Sequence, residues 1–217
     1  MKRFSMITEA EARVLEPGST VELERGGHIT PLARDTLRER RITVVASDGH
    51  DASLAELAPP ATIRTVAIGN DHSGVGLKKA LVAHLRGQGL TVLDHGTDST
   101  EPVDYPDIAE AVARTVSRRQ AEAGIVIDGA GIGSAIVANK VTGVRAAMCP
   151  TPTIARYARE HNGANVMTLG ATLSSVDEAR TIVEVFLATP MTEPRYIRRL
   201  AKVRRVEASE RDGGRPR

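Results

Sequence analysis

The stretch Gly124-Ile-Val-Ile-Asp128-Gly-Ala-Gly-Ile-Gly133-Ser134 indicates the fold of this chain. Its first four residues form a short apolar run, which is typical of a strand that is buried on both faces of a sheet. The glycines that follow allow a tight turn and a close approach of the backbone to a ligand. A helical pattern comes next, so the stretch predicts a strand, a glycine loop and a helix.

The same alternation of apolar runs and helical patterns extends in both directions along the chain. The predicted strands are Thr65–Gly69, Thr91–Leu93, Gly124–Ile127, Val144–Met148 and Asn165–Leu169. The predicted helices cover Leu77–Leu85, Ile108–Val116, Ser134–Lys140, Ile154–Glu160 and Val176–Leu187. Short buried strands that alternate with helices predict an α/β fold, with a five-stranded parallel sheet and helices on both of its faces. Right-handed crossovers place the C-terminal ends of the strands at one edge, where ligands bind.

The first 62 residues differ from this pattern and predict a small N-terminal extension and linker. Gly26-Gly27 and Pro59-Pro60 interrupt the segment. Between them, Thr30 is a predicted helix cap, Pro31 suits the first helical position, and a short strand follows at Ile42–Ala46. The sequence therefore predicts an extension and linker at 1–62, the main domain at 63–210 and a basic tail at 211–217.

Composition excludes several classes of protein. Hydrophobic residues make up 41% of the chain, enough for a core, and the formal net charge is only +2. The basic C-terminal end raises nucleic-acid binding as an alternative, but two Phe, three Tyr and no Trp provide few stacking platforms. The single cysteine, Cys149, is predicted to be a buried structural thiol, so no internal disulfide forms.

The chain carries no pattern typical of a targeting segment or a metal site. It lacks a signal-peptide pattern and a run of about 18 apolar residues, which predicts a cytoplasmic protein that does not enter the membrane. The six histidines show no metal-ligand spacing. We therefore expect no metal site.

Four groups of residues are candidates for chemistry, and each has a simpler structural alternative. Asp71-His72-Ser73-Gly74 can hold an anion or can be a strand-end turn. The glycine loop lacks a complete dinucleotide fingerprint, because Ser134 and Ile136 stand where glycine is needed, and it can be only a tight turn. His161-Asn162 can be catalytic or can cap a helix. Arg195 and Arg199, four residues apart, can clamp a phosphate or form a solvated face.

Six motifs in this order resemble the ribose-5-phosphate isomerase B / galactose-6-phosphate isomerase family, from about Thr65 to Glu207. They are Val66-Ala-Ile-Gly-Asn-Asp-His-Ser-Gly74, Gly96-Thr97, Val103-Asp-Tyr-Pro-Asp107, the glycine loop with Ala138-Asn-Lys140, Ala158-Arg-Glu-His-Asn162 and Arg195-x-x-x-Arg199. The resemblance implies a Rossmann-like domain and a metal-independent aldose–ketose isomerase without a cofactor. It also implies a phosphorylated sugar substrate and a homodimer or homotetramer whose active sites use two subunits.

The resemblance also implies a role for each matched residue. Asp128 would be the catalytic base, His161 would assist ring opening or proton movement, and Asp71 would assist at a sugar hydroxyl. The implied binding residues are His72 and the two arginines Arg195 and Arg199 for phosphate, Tyr105 for the sugar, Asn162 beside His161, and the backbone amides of Gly129, Ala130, Gly131 and Gly133 for the enediolate oxygen.

The chain departs from the family pattern at four positions. Asp128 stands where the family has a cysteine, Ser134 where a subgroup has a glutamate, Ala130 where a Thr or Ser is usual, and Gly170-Ala171-Thr172 where Gly-Gly-Arg is usual. A carboxylate can serve as the base, but Asp128 can instead only cap the glycine loop.

These departures leave the substrate open. Loss of the loop hydroxyl favours a substrate that needs less ring opening, such as a four-carbon sugar phosphate. Ribose 5-phosphate/ribulose 5-phosphate and a tetrose phosphate pair are both candidates. A non-catalytic sugar-phosphate-binding or scaffolding protein is the alternative.

The N-terminal extension has a weaker resemblance of its own. Ile7-Thr-Glu, Pro17-Gly and Ile29-Thr-Pro-Leu-Ala-Arg34 resemble N-terminal segments of ethanolamine-utilisation proteins, which belong to bacterial microcompartments. The resemblance implies a microcompartment partner that binds through residues 1–62, and a location inside the compartment. An oligomerisation arm is the alternative.

Overall fold

The computed structural model describes residues 2–46 and 57–211, and the chain divides into two compact units, Met1–Glu56 and Leu57–Arg217. Each unit has its own parallel sheet and its own apolar core. Residues 47–56 of the predicted linker and 212–217 of the predicted tail lie outside the described residues. The second unit begins six residues before the division predicted from the sequence.

The first unit is a small parallel α/β unit. It contains β1 (Arg3–Ile7), α1 (Glu9–Val14), β2 (Thr20–Ile29), α2 (Pro31–Glu39) and β3 (Thr43–Ala46), with the strands in the order β1-β2-β3. The predicted helix is present, and the Thr30 hydroxyl accepts the Ala33 N–H at 3.4 Å as a cap. The sequence analysis missed β1, α1 and β2. It read Gly26-Gly27 as an interruption, whereas these glycines lie inside β2, where the pairing with β1 shifts register.

The second unit contains five strands and six helices among the described residues. The strands are β4 (Thr65–Asn70), β5 (Thr91–Asp94), β6 (Ala123–Asp128), β7 (Ala146–Met148) and β8 (Val166–Gly170). The helices are α3 (Val75–Gly87), α4 (Tyr105–Ser117), α5 (Ile132–Ala138), α6 (Pro152–Asn162), α7 (Val176–Ala188) and α8 (Pro194–Arg211). The five predicted strands are confirmed, and α5 ends before Asn139 and Lys140. No helix in the described ranges is both long and apolar enough to cross a membrane.

Helices cover both faces of the five-stranded sheet, as the sequence predicted. Successive strand residues point to opposite faces. Ile125 and Ile127 pack into a core with α3, α6 and α7, whereas Val126 between them packs into a core with α4 and α5. Burial on both faces explains why the strands read as apolar runs rather than as alternating patterns.

The strand order fixes where a ligand can bind. The sheet has the order β5-β4-β6-β8-β7, and all pairs are parallel. The chain leaves β4 toward β5 on one side and later adds β6 on the other side of β4. Such a reversal opens a crevice outside the C-terminal ends of the two central strands. The crevice therefore lies where Asp71 follows β4 and the glycine loop follows β6.

Arg159 is a buried cation that ties three segments of the second unit together. It is 1% exposed, and its guanidinium donates to the carbonyls of Pro60 (3.1 Å), Ala164 (3.0 Å) and Thr189 (3.3 Å). Burial, with the nearby Arg145 charge as a second cause, lowers the pKa of Arg159 to about 10. The guanidinium also lies over the Phe186 ring, 5.2 Å from its centroid. Arg159 thus fixes α6, the helix that carries His161.

We predict that Arg159→Met lowers the free energy of unfolding by about 3 kcal/mol or more, because three carbonyls lose their donors. Urea denaturation measures the change. Arg156→Met is the matched control on the same helix, since Arg156 is half exposed and its ion pair with Glu160 is 3.9 Å long. The control should change stability by less than about 0.5 kcal/mol. Equal effects of the two substitutions would contradict the structural role of Arg159.

Candidate active site

The crevice between β4 and β6 contains a polar turn that is fixed by its own hydrogen bonds. Asp71 is 7% exposed, and its backbone N–H donates to the Ile127 carbonyl of β6 at 3.0 Å. Its Oδ1 accepts the backbone N–H of Ser73 at 2.9 Å and the Ser73 hydroxyl at 2.5 Å. Within residues 57–211, Oδ2 of Asp71 has no hydrogen-bond partner. One carboxylate oxygen therefore holds the turn, and the other stays available to a ligand.

Asn70, which the sequence analysis did not single out, stabilises this turn by hydrogen bonds. It is fully buried, and its Nδ2 donates to the carbonyls of Asp71 (2.7 Å) and Thr97 (3.1 Å). A Cβ on Gly96 would lie 1.9 Å from the Asn70 side-chain oxygen, so only glycine fits at Gly96. The asparagine thereby joins the turn after β4 to the loop after β5. A polar side chain at the end of a fully buried strand was the signal available in the sequence.

His72 and Tyr105 line the same crevice. The Val103 N–H donates to Nδ1 of His72 at 3.3 Å, so the neutral ring carries its proton on Nε2 and offers a donor there. Tyr105 begins α4 and is 38% exposed. A Cβ on Gly133 would lie 2.6–2.8 Å from atoms of the Tyr105 ring. The tyrosine ring and the glycine loop are therefore in close contact, and this contact requires a glycine.

The glycine loop is held by two hydroxyl groups, one within β8 and one just after it. Gly131 adopts a left-handed conformation (φ +78°), which favours glycine. The Thr168 hydroxyl donates to the Gly131 carbonyl at 2.5 Å, and the Thr172 hydroxyl donates to the Gly129 carbonyl at 2.7 Å. Two carbonyls of the loop are thus hydrogen-bonded to the strand next to it and to the residue Thr172.

The Asp128 carboxylate is saturated by donors from its own loop. It is 5% exposed. Oδ1 accepts the N–H groups of Ala130 (2.9 Å) and Gly131, and Oδ2 accepts the N–H (3.0 Å) and the hydroxyl of Ser134. A carboxylate offers about four lone-pair sites, and all four are used here. This arrangement favours the loop-capping role that the sequence left open for Asp128.

The remaining predicted site residues form a second group on α6 and α8. The His161 ring lies between Tyr157 (centroids 4.6 Å apart) and Tyr196 (4.5 Å). The guanidinium groups of Arg195 and Arg199 lie 4.7 and 5.4 Å from the Tyr196 centroid. The His161 group is the name used below for Tyr157, His161, Asn162, Arg195, Tyr196 and Arg199. Nδ2 of Asn162 donates to the Tyr157 carbonyl at 3.0 Å. Tyr157 was missed, although its spacing of four from His161 on a predicted helix places both rings on one face.

The structure thus brings the predicted residues together in two groups. Asp71, His72, Tyr105 and the loop from Asp128 to Gly133 line the crevice. In the part of the chain that the structure describes, no hydrogen bond, ion pair or ring contact joins them to the His161 group.

Two further features concern metals and Cys149. No group of three or more His, Cys, Asp or Glu side chains in residues 2–46 and 57–211 is arranged to hold a metal ion. Cys149 is fully buried, as predicted, and burial raises the pKa of its thiol to about 12. The thiolate is the reactive form, so this cysteine is a structural residue.

Comparison with protein families identifies one family model. The model described as Ribose/Galactose Isomerase matches residues 66–203. The matched range includes the crevice residues and the His161 group, and it excludes the first unit.

Relatives of known name agree with this match. Ribose-5-phosphate isomerase B of Escherichia coli is 37% identical over 145 residues, which cover 67% of this chain and 97% of the relative. D-erythrulose-4-phosphate isomerase of Pectobacterium atrosepticum is 40% identical over 124 residues, which cover 57% of this chain and 82% of the relative.

Solved structures match the same part of the chain. Ribose-5-phosphate isomerase B of Clostridium thermocellum is 40% identical with a TM-score of 0.66, covering 67% of this chain and 99% of its own. The enzyme of Mycoplasma genitalium, solved with bound ribulose 5-phosphate, is 36% identical with a TM-score of 0.64, covering 66% of this chain and 96% of its own.

We predict that Asp128→Asn lowers the free energy of unfolding by about 2–4 kcal/mol. An amide has only one acceptor oxygen, so its NH₂ group would face a backbone N–H in either orientation. Chemical denaturation measures the change. Asp104→Asn is the matched control, because Asp104 is exposed and makes no capping hydrogen bond to α4. Unchanged stability of Asp128→Asn would contradict the capping role and would restore Asp128 as the candidate base.

Proposed function

The chain belongs to the Ribose/Galactose Isomerase family, and we propose that it interconverts an aldose phosphate and the corresponding ketose phosphate. The reaction moves one proton between two adjacent carbons through an enediolate. It needs a base within reach of both carbons and donors for the developing oxyanion.

The observation that carries the proposal is the unpartnered Oδ2 of Asp71 in the crevice. Asp128 is the base implied by the family resemblance, but its four lone-pair sites already accept hydrogen bonds, so at least one of these bonds would have to break before it could accept a proton. Oδ2 of Asp71 needs no such rearrangement, and the glycine loop follows the adjacent strand. We therefore assign the base to Asp71, with Asp128 as the residue that holds the loop in shape.

Donors for the substrate come from the same crevice. Nε2 of His72 offers an N–H toward a substrate oxygen or phosphate, and Tyr105 borders the sugar. The Asp128 carboxylate already occupies the amides of Ala130 and Gly131. The amides of Gly129 and Gly133 are the remaining predicted donors for the enediolate oxygen.

We propose that the His161 group completes the active site of a second copy of the chain. Arg195 and Arg199 would bind the phosphate, and His161 with Asn162 would assist proton movement there. The absence of hydrogen bonds, ion pairs and ring contacts between the two groups, among the described residues of one chain, agrees with this arrangement. It corresponds to the homodimer or homotetramer with shared sites that the resemblance implies.

The substrate candidates are ribose 5-phosphate/ribulose 5-phosphate and a tetrose phosphate pair. The names of the E. coli and P. atrosepticum relatives support one candidate each. Ala130 places a methyl group where a loop hydroxyl is usual, which favours a substrate that is already open-chain. Thr172 in place of arginine removes one phosphate contact, so more of the phosphate binding falls to Arg195 and Arg199.

A second candidate function is non-catalytic binding of a sugar phosphate. The saturation of Asp128 favours it, because the position of the family base then carries a structural residue. In this case the crevice and the His161 group would bind the ligand without turnover. Turnover alone separates the two functions.

Three expectations from the sequence stay predictions. They are independence from metals and other cofactors, a cytoplasmic location with microcompartment interior as the alternative, and a microcompartment partner that binds through residues 1–62.

We predict turnover of at least one member of a panel of C4 to C6 aldose and ketose phosphates, in the presence of EDTA. Deuterium incorporation from heavy water at the carbon next to the carbonyl reports the proton transfer. Asp71→Asn should lower kcat by about 10²–10⁴-fold, as expected for loss of a general base. If Asp71→Asn incorporates deuterium as fast as the wild type, the assignment of Asp71 as the base is refuted. Absence of exchange with every sugar phosphate would favour the binding protein.

We also predict that Asp71→Asn and His161→Ala chains complement each other. Each variant alone should be nearly inactive. After subunit exchange, a mixed dimer has one site with both intact residues, so random mixing should restore about a quarter of wild-type activity. No recovery, with exchange verified by mass spectrometry, would mean that each site is built from one chain.

A further inference from the structure

Ser73 is an exposed hydroxyl in the Asp71 turn to which neither the sequence motifs nor the proposed mechanism gives a role. We propose that Ser73 is a specificity-determining residue that accepts a hydrogen bond from a sugar hydroxyl next to the carbon that Asp71 deprotonates. The inference rests on the proposed function, since it names the part of the substrate that this side of the crevice recognises.

The first argument is the direction of the Ser73 proton. The hydroxyl lies 2.5 Å from Oδ1 of Asp71, within the range of a hydrogen bond from a hydroxyl to a carboxylate. A serine hydroxyl has one proton and two lone pairs. Because the proton points to Asp71, what remains for a ligand is acceptor capacity. A sugar hydroxyl can donate to such an acceptor, whereas a phosphate dianion has no proton to donate.

The second argument is the position of the hydroxyl. A Cβ placed on Gly129 would have Ser73 Oγ as its nearest heavy atom, at 4.0 Å. The hydroxyl therefore lies beside the glycine loop, at the distance of an ordinary van der Waals contact with such a Cβ. Oδ2 of Asp71 belongs to the same turn, so a ligand beside the loop would meet two acceptors from side chains that are hydrogen-bonded to each other.

The third argument comes from the other hydroxyl groups around the loop. Ser134 is fully buried and donates to Asp128, and Thr168 is fully buried and donates to Gly131. Thr172 is exposed, but its proton anchors the Gly129 carbonyl. Ala130 has no hydroxyl. Ser73 is thus a hydroxyl that is both exposed in the crevice and coupled to the proposed base.

The ligand that fits is an open-chain sugar phosphate with a free hydroxyl beside its reacting carbon. The Asp71–Ser73 turn would hold this hydroxyl and the reacting carbon, while the His161 group of a second copy would hold the phosphate. The hydroxyl end of the substrate would then be recognised by hydrogen-bond acceptors, and the phosphate end by cationic side chains. Ser73 should affect recognition of the hydroxyl end and leave phosphate binding unchanged.

The experiment compares two ligands by isothermal titration calorimetry on the full chain. Ribitol 5-phosphate carries the hydroxyls and cannot turn over, and inorganic phosphate carries none of them. Ser73→Ala should weaken ribitol 5-phosphate binding roughly three- to tenfold, as expected for one hydrogen bond, with phosphate affinity unchanged within about twofold. Ser73→Thr keeps the hydroxyl and should bind ribitol 5-phosphate like the wild type. Ser117→Ala is the control, because Ser117 lies at the opposite end of α4 from Tyr105.

Two results would overturn the inference. One is unchanged affinity of Ser73→Ala for ribitol 5-phosphate, and the other is an equal loss for both ligands, which would mean a general disturbance of the site. The proposed function is tested separately. If no sugar phosphate is turned over but Ser73→Ala weakens ribitol 5-phosphate binding as expected, only the isomerase function is refuted. If a sugar phosphate is turned over but Ser73→Ala binds ribitol 5-phosphate like the wild type, only this inference is refuted.

Discussion

The parallel pairing of β4 with β6 is the constraint on which the candidate site depends. The register of this pair brings Asn70 beside Ile127, and the Asp71 N–H continues the ladder by donating to the Ile127 carbonyl. Two turns that are far apart in the chain are thereby held at one edge of the sheet. The reversal of strand order at the same place keeps the crevice between them free of a crossover helix.

The two aspartates at this edge have opposite roles because of their hydrogen bonds. Both carboxylate oxygens of Asp128 accept hydrogen bonds from its own loop, so its charge holds backbone amides in place. In Asp71, one oxygen accepts hydrogen bonds from Ser73, and the other has no partner among residues 57–211. The same residue type at two neighbouring strand ends therefore provides a structural anchor at one and a candidate base at the other. The number of donors around each carboxylate decides between these roles.

A proposed division of the active site between two copies gives the C-terminal helix α8 a function. Tyr196 and Leu200 of this helix are buried, whereas Arg195 and Arg199 stay exposed beside the Tyr157–His161–Tyr196 stack. Packing fixes the helix by one side and leaves a cationic side for a ligand. The buried Arg159 binds three backbone carbonyls and holds α6, the helix that carries His161, although Arg159 is not part of the ring stack.

The sequence by itself determined the second unit. Its five strands, the helices between them and the edge that carries the candidate residues follow from apolar periodicity and from glycine chemistry, which are local. The first unit was predicted poorly, because β1 is short and mostly exposed and β2 continues through Gly26-Gly27. Only the tertiary structure decided that Asp128 is enclosed by donors, that Ser73 lies beside Gly129 and that no hydrogen bond, ion pair or ring contact joins the crevice residues to the His161 group in the described part of the chain. These properties depend on contacts between side chains in the folded chain, and local sequence patterns do not specify such contacts.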